Sequence, residues 1–199
     1  RIAFVHQSLT EYLAGTELAE RYLADPSTLA AKLSLLRWDQ ALFLTLSLLP
    51  ATKAESFFGT VMEVDFVLAL NAAKYVEVNR EDIVSRLLSE IPQRFSSMEL
   101  SLQMQIGSIL KYRLPVTHAH ESQLRDLVKC GDALGEAAVS RLVALKGKEV
   151  KDELLRLLLD QPSDFNLCCN GIGRSLRPFA AEEDVKTIAT WANLLQDRV

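Results

Sequence analysis

Cysteine, glycine and proline are scarce in this 199-residue chain, with 3, 8 and 6 copies. Three cysteines cannot all pair, and Cys168 and Cys169 are adjacent. That argues against a disulfide framework and points to a reducing, cytosolic setting. So few turn-forming residues argue against disorder and against a β-rich fold. Aromatics make up 7%, too sparse for a base-stacking platform. A net charge of −4 gives no electrostatic reason to expect nucleic acid or an anionic membrane as partner. No apolar run approaches the roughly 20 residues needed to span a bilayer. One of the longest, Leu42–Leu49, is broken by Thr45 and Ser47. No signal-peptide pattern opens the chain. It begins at Arg1 rather than methionine, the expectation for a piece of a longer protein.

What is present is helical patterning. Hydrophobic residues are 49% and charged residues 24%, ordinary for a globular protein with a sizeable core. Ile83, Val84, Leu87, Leu88 and Ile91 recur on one helical face. Leu134, Ala138, Leu142 and Leu145 form a second stripe, and Leu154, Leu155, Leu158 and Leu159 a third. Val185, Ile188, Ala189, Ala192 and Leu195 form another near the end. No segment alternates with period two. The spacing predicts helices near 3–24, 28–36, 38–49, 53–60, 62–75, 80–91, 98–113, 118–130, 133–146, 148–160, 164–174 and 182–197.

Helix punctuation agrees. Thr52-Lys53-Ala54-Glu55 and Ser96-Ser97-Met98-Glu99 read as capping boxes. Ser27, Asn79, Thr117, Asp132 and Ser163 read as further N-caps. Prolines, Pro92 among them, fall mostly between stripes, and Gly131 and Gly147 read as helix stops. Short connections predict antiparallel neighbours. The predicted fold is all-α, a right-handed superhelical array of antiparallel helix pairs. The pairs recur at roughly 30–40 residues, the range of helical repeats. Asp132–Asp160 resembles a degenerate HEAT-type unit. An irregular helical bundle is the alternative arrangement. Subdivision is expected near 92–97 or 114–117.

Few residues suggest chemistry. His118 and His120, with Cys130 ten residues on, invite a metal reading. Two positions apart on a helix they point about 200° apart, poor geometry for one ion, and no further ligand pair completes a tetrahedral site. They read as solvated histidines, and no metal is expected. Cys168 and Cys169 read as small core residues. Gly171-Ile172-Gly173-Arg174-Ser175 lacks the preceding strand and the lysine of a phosphate-binding loop. Lys146, Lys148, Lys151 and Arg156 alternate with Glu149, Asp152 and Glu153. That pattern reads as a solvated face with i,i+4 pairs. Trp38 and Trp191 read as packing residues. No G-x-S-x-G, H-E-x-x-H or isolated carboxylate pair appears, so no catalytic residue is assigned and an enzyme is not expected.

The first sixteen residues are the most specific stretch. Phe4, Val5, Leu9, Tyr12, Leu13, Tyr22 and Leu23 recur at helical spacing, so that one side can pack, and His6, Ser8 and Glu11 interrupt them. Ser8 and Glu11 read as helix-stabilising. Phe4, His6, Ser8, Glu11, Tyr12 and Ala14 together resemble the F-x-H-x-S-x-x-E-Y-x-A signature of NACHT-type STAND NTPases, the NLR-like signalling ATPases. Gly15 stands where that family usually has a second alanine, a departure that bears on helix stability. The match covers the first 24 residues, and residues 28–50, with Trp38-Asp39-Gln40, follow loosely.

The resemblance implies that residues 1–24 close a winged-helix region and that 25–199 form a helical-repeat domain. It implies a non-catalytic sensor or regulatory segment in cytoplasmic signalling or innate defence. The upstream nucleotide-binding domain of the same chain and a protein ligand would be its partners. His6 would contact the ADP phosphate, and only in the intact parent. ADP or ATP and Mg would belong to that parent, with no cofactor in this part. A free-standing HEAT-like scaffold is the alternative function.

Overall fold

Apolar residues at helical spacing close into helix after helix in the computed structural model. It describes residues 7–27, 29, 33, 39–130, 132–160, 174–179, 181, 184–186 and 189. Among these residues there is no strand, so the all-α expectation holds. The helices are α1 (Gln7–Ala24), α2 (Asp39–Leu48), α3 (Ala51–Val64), α4 (Phe66–Ala72), α5 (Arg80–Phe95), α6 (Leu100–Tyr112), α7 (Glu121–Val128), α8 (Asp132–Lys146) and α9 (Lys151–Asp160). No helix among the described residues is long and apolar enough to cross a membrane. The chain divides into two compact units, Arg1–Ile83 and Val84–Val199, the division falling inside α5.

In the first unit α1 lies along α2, and α2 also touches α3 and α4. Tyr22 of α1 is fully buried and meets the Phe57 ring of α3 edge-to-face, with centroids 5.0 Å apart. Its hydroxyl keeps a partner, Ser56 Oγ at 3.2 Å, which a buried phenol needs. Phe43 of α2 stacks on Tyr75 at 4.6 Å. Leu42, Val61, Met62, Ala69 and Leu70 complete this core.

Several local signals resolve differently from the sequence expectation. The 53–60 and 62–75 helices divide at Asp65 instead, because its extended backbone breaks the run and its carboxylate accepts the Leu68 amide at 2.9 Å. Thr52 is no cap. Proline's preset φ starts α3 two residues earlier, with the Pro50 carbonyl accepting the Ala54 amide at 2.8 Å. Glu99 itself is the N-cap of α6, so Ser96–Glu99 is not a capping box, and the Ser97 hydroxyl turns back to the Arg94 carbonyl. α5 runs through Pro92 to Phe95. Losing one backbone bond is tolerated there because Leu88, Ile91 and Phe95 are buried on both sides of the proline. Asn79, just before α5, takes φ +54, a left-handed conformation that asparagine tolerates. Gly147 stops α8 with φ +57, as the sequence suggested.

In the second unit α8 is the central rod. It packs on α6 and on α7, and meets α9 through the 3₁₀ turn Gly147–Val150. Its heaviest contacts are therefore with preceding helices rather than with the other half of the Asp132–Asp160 pair. Ala137, Ala138, Val139 and Leu142 are all buried, as a rod surrounded by neighbours requires. The Ile83–Ile91 stripe is buried throughout. The stripe near the end is not, since Val185 and Ala189 are exposed and Asp184 is the buried residue of that turn. Phe4, Val5, His6, Trp38, Gly131, Ser163, Cys168, Cys169, Gly171, Gly173 and Trp191 lie outside the described residues.

Candidate functional site

α1 carries two distinct flanks. Gly15, Leu18, Ala19 and Tyr22 are buried, and this helix lies along α2. A Cβ at Gly15 would stand 3.0 Å from Leu44 Cβ and 3.1 Å from the Ala41 carbonyl oxygen. A side chain there would crowd both atoms, so glycine suits this close approach although alanine is the better helix former. Thr45, fully buried on α2, shares its one hydroxyl proton between the Ala41 oxygen at 2.7 Å and the Gly15 oxygen at 3.1 Å.

The other flank is uncovered. Leu9, Tyr12 and Leu13 remain 48%, 49% and 42% exposed, and Leu23 is exposed too. The sequence had placed these residues with Tyr22 on one packing side; among the described residues of that set only Tyr22 is buried. The reason is angular. At about 100° per residue, 9 and 13 lie well round the axis from 18 and 22, and 12 lies at the border, beside the line of buried Ala19. Glu11 accepts from Gln7 Nε2 at 2.7 Å, an i,i+4 bond within the helix that fits its stabilising reading. Ser8 is exposed. His6, the nucleotide-contact candidate, lies outside the described residues.

Among the described residues, the second unit holds a dense charge cluster, and it joins helices. Glu121 at the start of α7 contacts His118 Nδ1 at 2.8 Å, Arg125 Nη2 at 3.2 Å and Lys146 Nζ at 3.2 Å. Hydrogen bonding from His118, then from Lys146, lowers the Glu121 carboxyl to about 2. Arg125 bridges on to Glu153 of α9 with both Nε and Nη2. Each charge is matched by another, so the cluster braces α7, α8 and α9.

The two histidines separate. His118 is exposed, as expected. His120 is fully buried, against the solvated reading. Its Nδ1 accepts the Thr117 amide at 3.0 Å, which makes His120 part of the helix cap and places the neutral ring's proton on Nε2. Among the described residues no three His, Cys, Asp or Glu side chains converge as a metal site.

Lys151 also departs from the solvated face assigned to it. It is buried against Asp184 Oδ2 at 2.8 Å, and that oxygen accepts the Ala181 amide at 2.6 Å as well. The amide first, and Lys151 second, hold the Asp184 carboxyl below its usual range. Arg141 of α8 donates to the Leu114 carbonyl at 2.9 Å, tying down the turn after α6, and burial lowers its pKa.

One surface was not anticipated from sequence. Leu100, Met104 and Tyr112 of α6 are 71%, 63% and 69% exposed. The available signal was the lack of charge, since Leu100–Leu110 contains no Asp, Glu, Lys or Arg. Compared with known proteins, the chain matches no family model, no curated sequence and no solved structure.

Proposed function

We propose that this chain is a non-catalytic helical sensor and regulatory segment of a NACHT-type STAND ATPase, acting in cytoplasmic signalling or defence. Residues 1–24 close the winged-helix region. The helices after them continue as a right-handed HEAT-like superhelix that recognises a protein ligand. The upstream nucleotide-binding domain of the same chain rests on α1, and His6 reaches the phosphate of ADP held by that domain.

The observation that carries this reading is the uncovered flank of α1. Leu9, Tyr12 and Leu13 sit within the motif-bearing turns, and apolar groups grouped in this way favour being covered. A ligand on the helical array then acts by linkage. It opens the switch only to the extent that it binds the open form more tightly than the closed one. Nucleotide and magnesium chemistry belong to the upstream domain. This segment contributes the latch and the surface that the ligand reads.

The test begins with the reading frame before Arg1. A P-loop lysine motif within a few hundred codons is expected. An initiator methionine directly before Arg1 overturns the proposal and leaves the free-standing HEAT-like scaffold. In the full-length parent, Tyr12→Asp is expected to loosen the closed state and speed ADP release. Unchanged ADP release in a correctly folded variant counts against α1 as the seat of that domain.

A further inference from the structure

We propose that the groove between α6 and α8 is a docking site for an acidic segment of a partner polypeptide that presents one aromatic side chain. The inference rests on the protein-ligand part of the function proposed above and not on its ATPase part. Met104, Gly107, Ser108 and Lys111 fall within about 100° of one another round α6, and Ala133, Glu136 and Ala137 do so round α8. The two strips line one groove of about 210 Å³. Its floor is made of small residues. Gly107 lets the two helices close up, because a Cβ there would stand 3.2 Å from the Ala133 carbonyl oxygen. Met104 and Tyr112, 63% and 69% exposed, stand about 12 Å apart along α6 at its two ends.

The size of the groove decides what enters it. Pockets for drug-sized ligands run to roughly 300–1,000 Å³ and enclose most of the ligand. This groove is smaller and open to solvent, so it takes a single side chain and leaves the rest of the occupant outside. A thioether and a phenol ring are both favourable neighbours for an aromatic ring. Leu100, also exposed, continues the apolar row one turn beyond Met104 and gives a chain lying along α6 further surface.

Charge selects the residues that flank the aromatic anchor. Lys111 Nζ and Arg174 Nη1 approach the same Glu136 oxygen, Oε1, at 3.8 Å and 3.6 Å. Both separations exceed hydrogen-bonding distance. Two cations therefore share one carboxylate oxygen loosely, and neither donates a hydrogen bond to a described residue. Lys111 Nζ also lies 5.3 Å from the Tyr112 ring centroid, at the same end of the groove. A carboxylate brought beside these cations gains charge-assisted bonds from donors that the fold leaves unused. Between Leu100 and Tyr112 α6 has no Asp or Glu to repel it. The whole chain carries a net charge of −4, so the preference is local and acts at contact distance rather than by long-range steering.

The test titrates the full chain against a dye-labelled glutamate peptide with one central phenylalanine, read by fluorescence anisotropy. Saturable binding that weakens as salt is raised is expected. A peptide with serine in place of the phenylalanine, and one with lysines in place of the glutamates, should each bind about tenfold more weakly. Ser108→Trp fills the groove from an exposed position and should abolish binding with an unchanged circular-dichroism melt. Lys111→Glu with Arg174→Glu should reverse the preference, taking the lysine peptide over the glutamate one, a gain that no misfolded variant can show. Absence of binding, equal binding of acidic and basic peptides, or binding that survives Ser108→Trp overturns the proposal. Self-association of the chain that Ser108→Trp abolishes would make a second copy the occupant and overturns it equally. A P-loop motif upstream of Arg1 together with no peptide binding strikes this groove alone and leaves the ATPase reading standing.

Discussion

Thr45 and Gly15 mark the closest approach of two helices: the threonine hydroxyl of α2 reaches the glycine carbonyl of α1 at 3.1 Å. The contact needs both partners. Gly15→Ala would gain about 1 kcal/mol of helix propensity, yet it drives a methyl against the backbone oxygen of Ala41. A helical carbonyl yields little, and overpacking of this kind costs roughly 1–3 kcal/mol. The expected result is a net loss of about 1 kcal/mol in urea unfolding. A stabilised Gly15→Ala variant would show that the two helices can move apart freely.

The two flanks of α1 should respond differently to substitution. Leu9→Ser and Tyr12→Ser touch half-exposed side chains and should each change stability by only about 0.5 kcal/mol. Tyr22→Ala removes a fully buried ring packed on Phe57 and should cost roughly 3–5 kcal/mol. Thermal and urea unfolding of the three variants measure the contrast. Equal losses would mean that the outer flank is covered within this chain.

Acid should weaken the second unit through Glu121. Its carboxyl titrates at about 2 in the fold against an ordinary 4.5. A depressed carboxylate contributes stability that is fully present above 4.5 and is lost as pH falls from there toward 2. Glu121→Gln should therefore be less stable than the parent at pH 6 and nearly equal to it at pH 2. Urea midpoints across this range give the answer. A constant difference at every pH would remove the ion cluster as the cause.

Lys151 and Asp184 should behave as a unit. Removing either takes away the buried opposite charge 2.8 Å from its partner. Lys151→Met with Asp184→Leu should retain more stability than the sum of the single losses predicts, and a double-mutant cycle reads that coupling. Because the Asp184 carboxyl is depressed, its contribution also fades as pH falls through its folded value. Additive losses would place the two side chains out of contact in solution.

Much of this was legible along the chain. The Ile83–Ile91 stripe needed only its own spacing to be read as a buried face, and Gly147 needed only its position after Lys146 to be read as a stop. Thr117 was legible as a cap, but its partner was not. A glutamate three residues on is the familiar signal, whereas here a histidine nitrogen fills the acceptor position. Lys148 and Lys151 look alike in sequence, one turn apart. Which of them is buried depends on Asp184, 33 residues later. The exposed row of α6 was masked for a related reason. Leu100 and Met104 look like core residues until the helices around them are in place.

Local spacing, caps and breakers determined that the chain would be helical and roughly where each rod would begin and end, because those preferences act within one or two turns. The tertiary structure alone decided which apolar residues are covered: Tyr22 but not Tyr12, Ile106 but not Met104. It likewise decided which ions are matched across helices. Burial and ion pairing depend on segments far apart in sequence meeting in space, and no periodicity along a single helix encodes which neighbour will arrive.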